Sequence, residues 1–123
     1  MSTDPIAQVP PLRERLRAAL PDAMKRRDRC ATAALRSALA AIDNAEAVTI
    51  DDLSAGPVEA SALGPGSAEV PRRELTESDI ERIVRAEVDE RHAAAGEFDA
   101  RGRADRVAAL RAEAAVLEAF LLG

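Results

Sequence analysis

Apolar and small residues recur along this chain at three- and four-residue intervals, the spacing of amphipathic helices. Leu12, Leu16, Ala19, Leu20 and Ala23 mark a first helix over about 12–27. Pro21 lies inside that stripe and is expected to kink the helix or split it. Asp28 is a good N-cap for a second helix over about 29–47, whose stripe is Ala31, Ala34, Leu35, Ala38, Leu39 and Ile42. A third helix, about 77–100, buries Ile80, Ile83, Val84, Val88, Ala94, Ala95 and Phe98. It opens on Thr76-Glu77-Ser78-Asp79, a capping-box pattern with Asp in the reciprocal position. Gly102 ends it, and a fourth helix over about 103–121 follows with Val107, Leu110, Ala114, Leu117 and Leu121 inward. Short links favour antiparallel neighbours. The pattern therefore predicts an all-α fold, a four-helix bundle of two αα-hairpins. Residues 1–10 read as an N-terminal tail and 11–123 as a single helical domain.

Between the hairpins the pattern breaks. Gly56-Pro57, Gly64-Pro65-Gly66 and Pro71 predict a long Pro/Gly-rich loop over 48–75. Such a loop is either mobile or laid across a groove through Val58, Leu63 and Val70.

Composition sharpens this picture. Leu, Ile, Val and Phe supply only 27 residues, whereas alanine supplies 28. The core must then rest on close helix contacts through small side chains. No apolar run is long enough to span a bilayer. Residues 1–10 lack the layout of a signal peptide, and a lone Cys30 allows no internal disulfide. These features point to the cytoplasm. The net charge of −5 is unevenly spread. Residues 11–36 carry eight Lys/Arg against three acids, and residues 43–81 carry ten acids against two arginines. The balance opposes bulk DNA or membrane binding and leaves one local basic face.

Chemistry is sparse. Cys30 and His92 are each unique, yet Cys30 opens an ordinary helix and His92 sits among charges on a long one. One Cys and one His do not make a closed metal shell. No Gly-rich phosphate loop precedes a helix, and an amidase-type Ser-Ser-Lys nucleophile is absent: Ser61 and Ser67 lie in the loop with no lysine nearby, Lys25 being the only lysine. No catalytic, cofactor or metal site is therefore expected. Two constellations remain. Lys25, Arg26, Arg27, Arg29 and Arg36 form a basic face suited to phosphates or to a protein partner, without an interleaved aromatic. Glu87, Arg91, Arg103, Asp105 and Glu113 are placed to meet between the third and fourth helices as one ion-pair cluster. That cluster reads as a clamp fixing helix register, with a partner site as the alternative.

These same residues carry a resemblance. Ala23-Met24-Lys25, Asp28 and Leu35-Arg36, then Glu87, Arg91, Glu97-Phe98, Arg103, Asp105, Glu113, Leu117 and Phe120-Leu121, are similar in type and spacing to the GatB/YqeY family. That family is named for the tail of the B subunit of the glutamine-dependent tRNA amidotransferase. The resemblance covers roughly 12–47 and 75–121. It departs at Ala93, where the family usually has Asp, and at 48–75, which looks like an insertion of the kind associated with actinobacterial members. The family usually continues into a second, three-helix bundle, so the resemblance implies the four-helix half only. It further implies a carbon–nitrogen ligase label with glutamine as amide donor, while the residues of that reaction lie in other domains. The implied role is non-catalytic binding of tRNA or of a component of the amidation machinery. A general protein–protein interaction module with no tRNA role is the alternative.

Overall fold

The computed structural model describes the backbone of residues 9–55 and 74–123 and the side chains of 9–48 and 74–123. Four helices follow one another in it: α1 (Leu12–Lys25), α2 (Arg29–Ala55), α3 (Glu77–Ala100) and α4 (Ala104–Leu122). No strand occurs among the described residues, so the all-α expectation holds. α3 and α4 pack along their length, α1 pairs with α2, and α2 lies against both α3 and α4.

The stripes read from the sequence form the core. Leu12, Leu16, Leu35, Ile42, Val84, Val88 and Leu117 are buried almost completely. Ala34, Ala38, Ala95 and Ala114 are also fully buried, and a methyl group at each lets neighbouring backbones approach closely. Leu39, Ile83, Phe120 and Leu121 close the edges of this core at partial burial.

Two boundaries differ from expectation. Of the kink or split expected at Pro21, the split does not occur: α1 runs through Pro21 to Lys25. A proline inside a helix costs about 3 kcal/mol, whereas burying Leu12 and Leu16 contributes about 1.5–3 kcal/mol each. Pro21 itself faces solvent, so its ring meets no packed neighbour helix. α2 does not end near residue 47 but continues to Ala55. Residues 48–55 contain neither Gly nor Pro, and the first breakers are Gly56 and Pro57. The first eight residues assigned to the loop are thus helical. The remaining expectation for that loop falls on 56–73, outside the described residues.

Both hairpin turns are built alike. After α1, the Arg27 N–H donates to the Met24 carbonyl and the Asp28 N–H to the Ala23 carbonyl, each at 3.0 Å. After α3, the Gly102 N–H donates to Asp99 at 3.0 Å and the Arg103 N–H to Phe98 at 2.9 Å. This is the Schellman pattern, which places one residue in the left-handed region. Gly102 holds that position in one turn with φ 72°, and Arg27 holds it in the other with φ 58°.

The opposite end is tied across helices. The first amide of α1, Leu12 N–H, has no side-chain cap of its own and donates to Glu77 Oε2 of α3 at 2.8 Å. Arg15 donates to the carbonyls of Pro10 at 2.9 Å and Phe120 at 3.2 Å. The starts of α1 and α3 and the end of α4 therefore gather at one end of the bundle, and the two turns lie at the other. Among the described residues no helix is long and apolar enough to cross a membrane.

Candidate nucleic-acid interface and ion-pair cluster

The α1–α2 turn displays the basic face. Lys25 ends α1, Arg26 and Arg27 form the turn, and Arg29 starts α2. Arg36 lies seven residues beyond Arg29 and so returns to the same face of α2. All five side chains are exposed. Arg26 Nε lies 3.3 Å from Asp22 Oδ2, an exposed pair of little energetic weight. Lys25, Arg27, Arg29 and Arg36 make no salt bridge among the described residues. Asp28, the acid nearest to them in sequence, turns its Oδ1 to the Ala31 N–H at 3.0 Å and caps α2. Arg36 reaches back toward α1, with Nη2 3.7 Å from the Met24 sulfur. Met24, Arg27, Asp28, Arg29, Thr32, Ala33 and Arg36 together line an open hollow.

The acidic candidates divide into two places. Arg91 Nη1 donates to Glu87 Oε1, and Arg91 Nε to Glu113 Oε1, both at 2.9 Å. The side chains of Glu87, Arg91 and Glu113 are only 13%, 11% and 19% exposed. Ser37 Oγ of α2 donates to the same Glu87 oxygen at 2.6 Å. One guanidinium and one hydroxyl thus join three helices. Arg103 and Asp105 do not belong to this cluster, contrary to expectation. Nine residues of α3 separate Arg91 from the helix end, about 14 Å along the axis. Arg103 instead sits at the exposed turn, 3.6 Å from Asp105. Its guanidinium lies 5.9 Å from the Phe98 ring centre, and that of Arg106 lies 5.1 Å away. The carboxyl of Asp105 is held below the ordinary aspartate range by the Arg106 N–H first, and also by the charge of Arg103.

Other polar contacts were not legible in the sequence. Arg13 binds Asp43 and both oxygens of Glu46, at 3.1 and 3.4 Å for the latter. These carboxylates, Glu46 foremost, raise its pKa above the ordinary arginine value. His92 Nε2 lies 3.2 Å from Glu118 Oε2 across the α3–α4 pair, so its partner is a carboxylate and not Cys30. Among the described residues no group of three or more His, Cys, Asp or Glu is placed to hold a metal ion.

Comparison of the chain with models of protein families finds no match, and comparisons with curated proteins and with solved structures find none either.

Proposed function

We propose that this chain is a non-catalytic binding module that contacts tRNA through the α1–α2 turn, in the manner implied by its resemblance to the tail of the glutamine-dependent tRNA amidotransferase. One observation carries the reading. In a chain of net charge −5, Lys25, Arg27, Arg29 and Arg36 stand exposed without carboxylate partners among the described residues, at one end of the bundle. Unpaired guanidinium groups displayed together suit a phosphate backbone. In this proposal the module acts in the cytoplasm, and any carbon–nitrogen ligase activity belongs to the assembly it joins.

The test is a tRNA titration at several salt concentrations with wild type and with the R26E/R27E double variant. The expected result is tight binding at low salt, steep loss with added salt, and weakening across many RNA sequences in the variant. Equal binding by both proteins, or none by the wild type, would refute the role of this face.

A second reading, a protein–protein interaction module without a tRNA role, draws on a different patch. Ala18, Ala19, Ala119 and Phe120, flanked by Arg15 and Asp22, line a shallow, mostly apolar groove between α1 and α4, and Leu122 nearby in sequence is 88% exposed. Binding through such a groove would respond little to salt.

A further inference from the structure

The two Schellman turns form an internal comparison. Their hydrogen-bond patterns are the same, and one places Gly102 where the other places Arg27. The left-handed conformation is strained for a residue with a Cβ and free of strain for glycine. Nothing in the turn's own hydrogen bonding requires an arginine at residue 27, since the α3–α4 turn makes the same bonds around glycine. Strain of this kind is often retained where a side chain has work to do.

The surroundings indicate which work. Arg27 lines the hollow together with Arg29, Thr32 and Arg36. Arg29, Thr32 and Arg36 lie at i, i+3 and i+7 of α2 and share one face. Left-handed backbone at Arg27 reverses the chain and sets its side chain at the edge of that face. The carboxylate lining the hollow, Asp28, is engaged with the Ala31 N–H. Arg36 is held at the Met24 edge through its sulfur contact. Three arginines and a partly buried threonine therefore line one concavity beside a single carboxylate, Asp28. That donor set matches the several acceptor oxygens of a phosphate group.

We infer that this hollow seats one backbone phosphate of the bound RNA and that Arg27 is kept there for that contact at the expense of fold stability. The inference rests on the tRNA-binding reading above and adds to it a discrete phosphate seat.

Arg27→Gly separates the two properties. Relief of backbone strain should raise the melting temperature by a few degrees. Loss of the guanidinium should lower tRNA affinity about tenfold at fixed salt and reduce the salt slope by about one. Arg27→Lys, which keeps the charge but lacks the fork, should fall between wild type and Arg27→Gly in affinity. A more stable Arg27→Gly protein that binds tRNA as well as wild type would overturn the phosphate seat. If R26E/R27E still weakened binding in that case, the broader basic-face reading would survive alone. Thermal stabilisation of the wild type by inorganic phosphate, with no tRNA binding, would overturn both the RNA source and the reading beneath it.

Discussion

Ser37 and Glu87 stand 50 residues apart in the chain and meet at 2.6 Å, hydroxyl to carboxylate, where α2 crosses α3. The same carboxylate oxygen accepts from Arg91, which also reaches Glu113 on α4. Glu87, with Ser37 and Arg91 as partners, and Arg91, with Glu87 and Glu113, together set the register of three helices at once.

Arg91→Ala should therefore be the most damaging polar substitution in the bundle. It leaves two partly buried carboxylates facing each other, and loss of one partner from a buried pair costs about 3–5 kcal/mol. Residual exposure of the cluster places the expectation at the lower end, near 3 kcal/mol. Ser37→Ala should cost about 1 kcal/mol, the usual size of one hydrogen bond. Urea denaturation of both variants checks the order. An unchanged midpoint in Arg91→Ala would show that the cluster holds nothing in place.

Gly102→Ala should destabilise the protein through backbone conformation alone. A Cβ at this position would meet no atom within 4 Å, so no clash contributes. The φ of 72° nonetheless costs a non-glycine residue about 1–2 kcal/mol. Thermal melting measures this, and Gly102→Asn, which tolerates the left-handed region better, should recover part of the loss.

Enlarging a core alanine should destabilise the bundle, as emptying a core leucine does, though by somewhat less. Ala114 is 0% exposed and packs within the main cluster, so Ala114→Leu forces helices apart at about 1–3 kcal/mol or more. Leu35→Ala removes a buried side chain at about 2–5 kcal/mol. Denaturation curves for the pair compare the two effects directly. A stable Ala114→Leu protein would mean that the small-residue contact is loose.

Acid should loosen the start of α3. The Asp79 carboxyl is held below the ordinary aspartate range, chiefly by the Thr76 N–H and also by Arg82. A depressed folded-state pKa contributes stability above the unfolded value, near 3.9, that is lost as pH falls through the folded value. Protection of the Thr76 amide, measured against its intrinsic exchange rate at each pH, should fall over that acid window in wild type. In Asp79→Asn the step attributable to this group should be missing.

The helices were readable because their apolar spacing is dense and their ends carry strong local signals. Thr76 and Asp79 form the reciprocal capping box that their spacing suggested, and Gly102 ends α3 as a glycine should. Of the two outcomes Pro21 allowed, the split is absent because local propensity yields to burial of the leucines on the same helix. The end of α2 was misplaced because residues 48–55 have neither a clear stripe nor a breaker in the sequence, and the helical backbone continues through them to Ala55. Glu87, Arg91 and Glu113 could be grouped from helical spacing. Arg103 was separable from them in principle, because the stop at Gly102 already put it about three helical turns beyond Arg91. Ser37 carried no signal at all, since a serine beside a core position looks the same with or without a partner on another helix. Arg27 was visible as a charge but not as a left-handed residue, because arginine rarely takes that conformation.

The placement of charge has a kinetic meaning. Glu74, Glu77 and Asp79 begin or precede α3 at one end, with Asp43 and Glu46 nearby on α2, whereas Lys25, Arg26, Arg27 and Arg29 crowd the other. Among the described residues, acids thus cluster at one end of the bundle, beside Arg13, Arg15 and Arg82, and unpaired basic groups cluster at the other. A polyanion within a Debye length, about 10 Å at 0.1 M salt, exerts a torque that turns the arginine end toward it and the carboxylate end away. If the proposed RNA is the partner, collisions become oriented before they become contacts, and added salt should slow its arrival.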